Sequence, residues 1–186
     1  MNDDFFKDYY LEYEKKLKPE WLFKKLYLSE QLFKKTNKSK GKLVFCGNGA
    51  SAAIASHAAL DFSKQAKIKS VTFHDSALLT AISNDYGYEN ALARIIELNL
   101  NKNDSIIFIS VSGESLNIIN AANYAKSFGS QIVTFTGKNE ENSLKKLGDI
   151  NFWVDSHAYN IVEGIHMIWI TSIIDSIIGK KVYSVS

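Results

Sequence analysis

Apolar residues recur at two different spacings along this chain, and the change falls near Gly41. Before it, Phe5, Tyr9 and Tyr13, then Trp21, Leu22, Leu26, Leu32 and Phe33, form stripes at helical spacing among lysines and glutamates. This predicts two amphipathic helices from residue 3 to about 35. They break at Pro19-Glu20, with the proline in the first turn of the second helix and an acid beside it. The run NKSKGK at 37–42 reads as a solvated turn. After Gly41, short apolar runs alternate with helical periodicity. Strands are predicted at 42–47, 68–74, 105–113, 130–137 and 149–155. Helices are predicted at 51–66, 75–83, 88–100, 115–128 and 161–178, with a short helical turn at 143–147. Such alternation makes the fold class α/β, a parallel sheet covered by helices on both faces in three αβα layers.

Composition narrows the classes of function. The 186 residues suit one domain, 1–186, with N-terminal helices over 1–40 and an αβα core over 41–180. A net charge of +2 gives no electrostatic case for nucleic acid. Cys46 is the only cysteine, so neither an intrachain disulfide nor a multi-cysteine metal site is expected. The start, MNDDFFKDYY, lacks the pattern of a secretory signal. The apolar stretch IHMIWITSIIDSIIG is interrupted by Thr171, Ser172 and Asp175, so it reads as a buried helix rather than a membrane span. A cytoplasmic protein is expected.

Ligands of open parallel sheets bind beyond the carboxyl ends of the strands. Two such ends carry small and hydroxylated residues. In CGNGAS, Gly47 and Gly49 allow a tight turn, and Ser51 is placed to cap the next helix. In SVSGES, Ser110, Ser112 and Ser115 supply hydroxyls beside another helix start. Neutral donors of this kind suit a phosphate ester. Gly47, Gly49 and Ala52 also satisfy a dinucleotide fingerprint, with Asp75 near the end of the next strand. That reading leaves little chain for a substrate domain and no role for the serine turn, so no nucleotide cofactor is expected.

The segments CGNGAS, AISNDYGYEN, ISVSGES, IVTFTGK and EGIH, in that order, resemble the sugar isomerase (SIS) fold and, within it, the phosphoheptose isomerases. Those enzymes convert sedoheptulose 7-phosphate to a heptose 7-phosphate, a precursor of lipopolysaccharide or capsule. The resemblance spans about residues 20 to 180. It implies a flavodoxin-like fold with a five-stranded parallel sheet, and a homotetramer whose active sites lie between subunits. It implies substrate contacts from Asn48, Gly49, Ala50, Ser51, Asn84 and Asp85, and a phosphate held by Ser110, Val111, Ser112 and Ser115. Ala50 stands where the family usually has glycine.

The family's chemistry uses a His and a Glu one turn apart on the first core helix, and a Gln and a His on the last, to bind zinc and move protons. Here His57 matches the first His, Asp61 stands for Glu, Glu163 for Gln and Thr171 for the catalytic His. His57 and Asp61 share a helix face, as do Glu163 and His166. If the two helices face one cleft, His57, Asp61 and Glu163, with His166 as a further candidate, could bind zinc or another divalent ion, or supply a carboxylate base at Asp61 or Glu163 and an imidazole acid at His57. The bland reading is a His57–Asp61 pair on a solvated face and His166 as a hydrogen-bonded core residue. His74 and His157 sit at or just past strand ends, where a solvated surface role is the default. The functional expectation is a sugar-phosphate isomerase. The alternative is a non-catalytic SIS protein that binds a sugar phosphate or a replication initiator, which the threonine at 171 would suit.

Overall fold

The computed structural model describes residues 3–183. Helices α1 (Asp3–Leu17) and α2 (Leu22–Lys38) lead into β1 (Leu43–Gly47), α3 (Ala50–Lys64), β2 (Ser70–Thr72), α4 (Ser76–Tyr86) and α5 (Tyr88–Asn99). Then follow β3 (Ser105–Ser110), α6 (Leu116–Phe128), β4 (Gln131–Thr136), β5 (Ile150–Trp153) and α7 (Tyr159–Ile178), with a 3-10 turn at Lys145–Leu147. The strands form one parallel sheet in the order β2-β1-β3-β4-β5. Gly47 pairs with Ile109 and Ser110 with Thr136, so the two small-residue turns leave the same sheet edge side by side.

Period-two alternation in β1 and β3 builds two cores. Leu43, Phe45, Ile107 and Ile109 face α2, α3 and α7, while Val44, Cys46, Ile106 and Phe108 face α5 and α6. Each such side chain, withdrawn from water, contributes about 1.5–3 kcal/mol. Cys46 is fully enclosed, and burial pushes its thiol well above the ordinary range. α7 is long and apolar enough to cross a membrane by composition, with a mean hydropathy of 1.6. Here it packs on the sheet through Ile161, Val162, Ile165, Trp169, Ile170, Ile173 and Ile174. α1 touches that layer with Tyr9, Tyr13 and Leu17, yet none of its residues is fully buried.

Several boundaries differ from expectation for local reasons. Pro19 lies before α2, not within its first turn, and its carbonyl accepts from the Leu22 N–H (3.0 Å). β3 stops at Ser110 because Gly113, at φ 66°, folds the chain into a turn, and its N–H donates to the Ser110 carbonyl. Ser51 is not a cap: α3 starts one residue earlier, with Gly49 at φ 55° as its N-cap. Gly47 is needed for space. A Cβ there would stand 2.6 Å from the Ser51 carbonyl group. Gly47→Ala is therefore expected to cost about 2 kcal/mol or more, read as a lower urea midpoint at unchanged slope.

Candidate functional site

β1 connects outward to β2, and β3 connects the other way to β4, so the crevice between β1 and β3 is where the topology reverses. Two cavities open there. The serine lobe, about 130 Å³, is lined by Asn48, Ser51, Ser110, Val111, Ser112, Ser115, Tyr159 and Glu163. A neighbouring glycine-turn lobe, about 140 Å³, includes Gly47, Asn48, Gly49, His74, Tyr88 and Asn117. A wider groove of about 400 Å³ around Arg94 lies between α5 and α6.

The serine lobe is lined by neutral donors and one carboxylate, with the Lys138 ammonium just outside it, 4.0 Å from the Tyr159 ring. None of its lining residues is Lys or Arg. α3 and α6 both begin at this edge, and their free N–H groups supply positive potential. Ser115 is the N-cap of α6, yet its hydroxyl makes no capping bond and stays available. The turn is held from below. Glu114 accepts from the Ser143 N–H and hydroxyl, both at 2.8 Å, which turns its carboxylate towards that segment. Buried Asn142 packs beneath Gly113, and the Leu144 N–H donates to the Gly113 carbonyl (3.0 Å).

Glu163 enters this lobe from the first turns of α7. Partial burial raises its carboxyl above the usual range. Gly164 beside it leaves room for the Tyr13 ring of α1. The Tyr13 phenol, pushed up to about 12 mainly by burial, donates to the Asn160 carbonyl (2.8 Å).

The expected cluster separates into two groups within one protomer. His57 Nε2 lies 3.1 Å from Asp61 Oδ2, with the imidazole half exposed. Both residues sit down α3 from the ligand edge, His57 about 9 Å and Asp61 about 15 Å past Ser51 along the axis. α7 also starts at that edge, so it runs alongside α3 in the same direction. Glu163 lines the same lobe as Ser51, whereas His57 and Asp61 line neither lobe. The Thr171 hydroxyl folds back onto the Met167 carbonyl of its own helix (2.9 Å).

A tetrahedral zinc site needs three or four protein donors. Among the described residues, no three His, Cys, Asp or Glu side chains converge. The donor set His57, Asp61 and Glu163 of one protomer therefore does not fit the ion. His166 is a core residue: its Nε2–H donates to the Thr136 carbonyl (3.0 Å), and its buried Nδ1 has no partner.

Of the other expected contacts, Gly49 lines the glycine-turn lobe, and Ala50 is exposed at the start of α3. Asn84 and Asp85 are exposed at the end of α4, bonded to each other (3.1 Å), outside both lobes. His157 is exposed. His74 is half-buried, lowered by that burial, with Nδ1 3.2 Å from the Ser56 hydroxyl. Tyr159, Tyr88 and Asn117 were not anticipated. They lie on helices whose patterns read as ordinary packing, and only their closeness to the two turns marks them.

Comparison with known proteins identifies the family. A family model described as SIS domain matches residues 20–137, and the chain belongs to that family. It is 34% identical over 185 residues to a phosphoheptose isomerase of Helicobacter pylori (strain P12), covering 95% of this chain and 96% of that one. A phosphoheptose isomerase of Aliarcobacter butzleri is 35% identical over 150 residues, 76% of this chain and 79% of that one. The solved phosphoheptose isomerase of Neisseria gonorrhoeae superposes with a TM-score of 0.86 at 25% identity, covering 95% and 99% of the two chains.

Proposed function

We propose that this chain is an aldose–ketose isomerase that interconverts sedoheptulose 7-phosphate and a heptose 7-phosphate. The observation that carries the reading is Glu163 on the wall of the cavity formed by the serine turn. A phosphate seated at Ser110, Ser112 and Ser115 leaves the rest of a sugar within reach of a carboxylate whose raised pKa suits proton exchange. Glu163 takes the proton from C1 of the ketose, and the C–H electron pair becomes the C1=C2 bond of an enediol as the C2 oxygen gains a proton. Return of a proton to C2, with loss of the O1 proton, completes the aldose.

The proton shift between O1 and O2 calls for a second group, and His57 with Asp61 is the remaining acid–base pair. In one protomer the pair is too far along α3, so we assign it to a site shared with a second copy of the chain. Exposed Leu60 beside this pair, Ile168 on α7, and Phe5, Phe6 and Tyr10 on α1 are surfaces such a copy would cover. In a homotetramer each site would take its phosphate grip and Glu163 from one copy and His57–Asp61 from another. Zinc, if held, would use that joined set and not the residues of one protomer. The reaction would serve heptose supply for lipopolysaccharide or capsule, in the cytoplasm.

Turnover is tested by incubation with sedoheptulose 7-phosphate in deuterated water, where aldose carrying deuterium at C2 is expected. Binding without any exchange would instead favour a non-catalytic sugar-phosphate protein. Shared sites are tested by mixing. Ser112→Ala and Asp61→Asn are each expected to lose most activity, and co-refolded mixtures to regain a measurable fraction. Mixed oligomers that stay inactive would confine each site to one copy.

A further inference from the structure

The glycine turn carries its own side-chain network, centred on Asn48. Asn48 Nδ2 donates to Asn117 Oδ1, and Asn117 Nδ2 donates back to Asn48 Oδ1, both at 2.9 Å. The Tyr88 hydroxyl donates to the same Asn48 Oδ1 at 3.1 Å. Asn117 is only 6% exposed, and it sits in the first turn of α6, directly behind the serine turn. Tyr88 opens α5 and reaches Asn48 from the side of the glycine-turn lobe.

An amide oxygen accepts two hydrogen bonds and an amide nitrogen donates two. Both acceptor positions of Asn48 are therefore filled, and one of its two N–H bonds is used. What remains is a single N–H on a residue that lines both the serine lobe and the glycine-turn lobe. Without the two partners the amide could rotate and present its oxygen, an acceptor that cannot donate to a carbonyl oxygen of the sugar. With them, the donor face is set before any ligand arrives, and little ordering is left for the binding step.

We infer that Asn117 and Tyr88 are positioning residues of the sugar-phosphate site, locking the Asn48 amide so that its free N–H meets an oxygen of the bound sugar. This rests on the reading that the serine lobe takes a sugar phosphate. The lock acts on the sugar end alone, because the serine hydroxyls and helix N–H groups hold the phosphate without Asn48.

The test compares two ligands by calorimetry on the full chain: sedoheptulose 7-phosphate and inorganic phosphate. Asn117→Ala and Tyr88→Phe are expected to weaken the sugar phosphate about tenfold and about threefold, with phosphate affinity unchanged within twofold. In turnover the same variants raise KM more than they lower kcat. General damage to the crevice would weaken both ligands together, and that parallel loss overturns the inference. So does unchanged sugar-phosphate affinity in Tyr88→Phe, a variant that removes one hydroxyl from an exposed ring and should fold if Asn117→Ala does not. A wild-type protein that binds phosphate but gains nothing from the sugar would sink the sugar-phosphate reading instead, which separates the two failures.

Discussion

Glu163→Gln should lower turnover of sedoheptulose 7-phosphate by two to four orders of magnitude while the ligand still binds. A general acid–base group contributes about 10²–10⁴ in rate. The amide keeps the shape and the hydrogen-bonding reach of the carboxylate but cannot carry a proton. Glu163 is the one carboxylate among the residues lining the lobe, and no histidine lines it, so no neighbouring side chain can take over. Single-turnover kinetics should show the loss in the chemical step, and calorimetry should show sugar-phosphate affinity within a few-fold of the parent. The variant recreates the glutamine that the family resemblance places at this position, without the histidine expected at 171. Adding Thr171→His to it should therefore recover activity at least tenfold above Glu163→Gln alone. A Glu163→Gln protein of undiminished turnover would remove Glu163 from the chemistry.

The second large effect concerns stability in acid. His166 is fully enclosed, and burial lowers its pKa from 6.5 to about 4, only partly offset by the bond to the Thr136 carbonyl. The unfolded chain therefore takes up a proton below about pH 6.5 that the folded chain refuses until about pH 4. The stabilisation is complete above pH 6.5 and is lost as pH falls through that window, by about 3 kcal/mol at pH 4. His74, also lowered by burial, adds a loss of the same sign. Urea unfolding at pH 7.5, 6.0 and 5.0 should show stability falling by about 1 kcal/mol per pH unit below 6.5. In His166→Leu most of that slope should vanish. A slope retained in full by the folded variant would place the acid sensitivity elsewhere.

Much of the architecture was legible because burial imposes period. KLVFCG and SIIFIS are continuous apolar runs because both faces of a central parallel strand are covered, and their positions were read to within a residue or a few. The boundaries that moved were set by backbone geometry. Gly113 ends β3 early, and Gly49 starts α3 early, through positive φ values that no hydrophobic pattern encodes. The serine turn was readable because Ser110, Val111, Ser112 and Ser115 lie close together in sequence, whereas Asn48, Ser51, Tyr159 and Glu163 reach the same lobe from distant segments. Spacing on a helix says which residues share a face, but not how far that face lies from a strand end. That is why His57 and Asp61 paired as expected while Glu163 stood apart from them. The Asn48–Asn117 bond joins two turns that are 69 residues apart, and no local pattern announces it.

Cys46, shut between the sheet and α5–α6, has a practical consequence. A thiol reagent added under native conditions should wait for the whole sheet to open, so its labelling rate becomes a clock for global unfolding. A cysteine introduced on the surface would meanwhile react alone, leaving the natural chain ready as a background for attaching a single fluorophore.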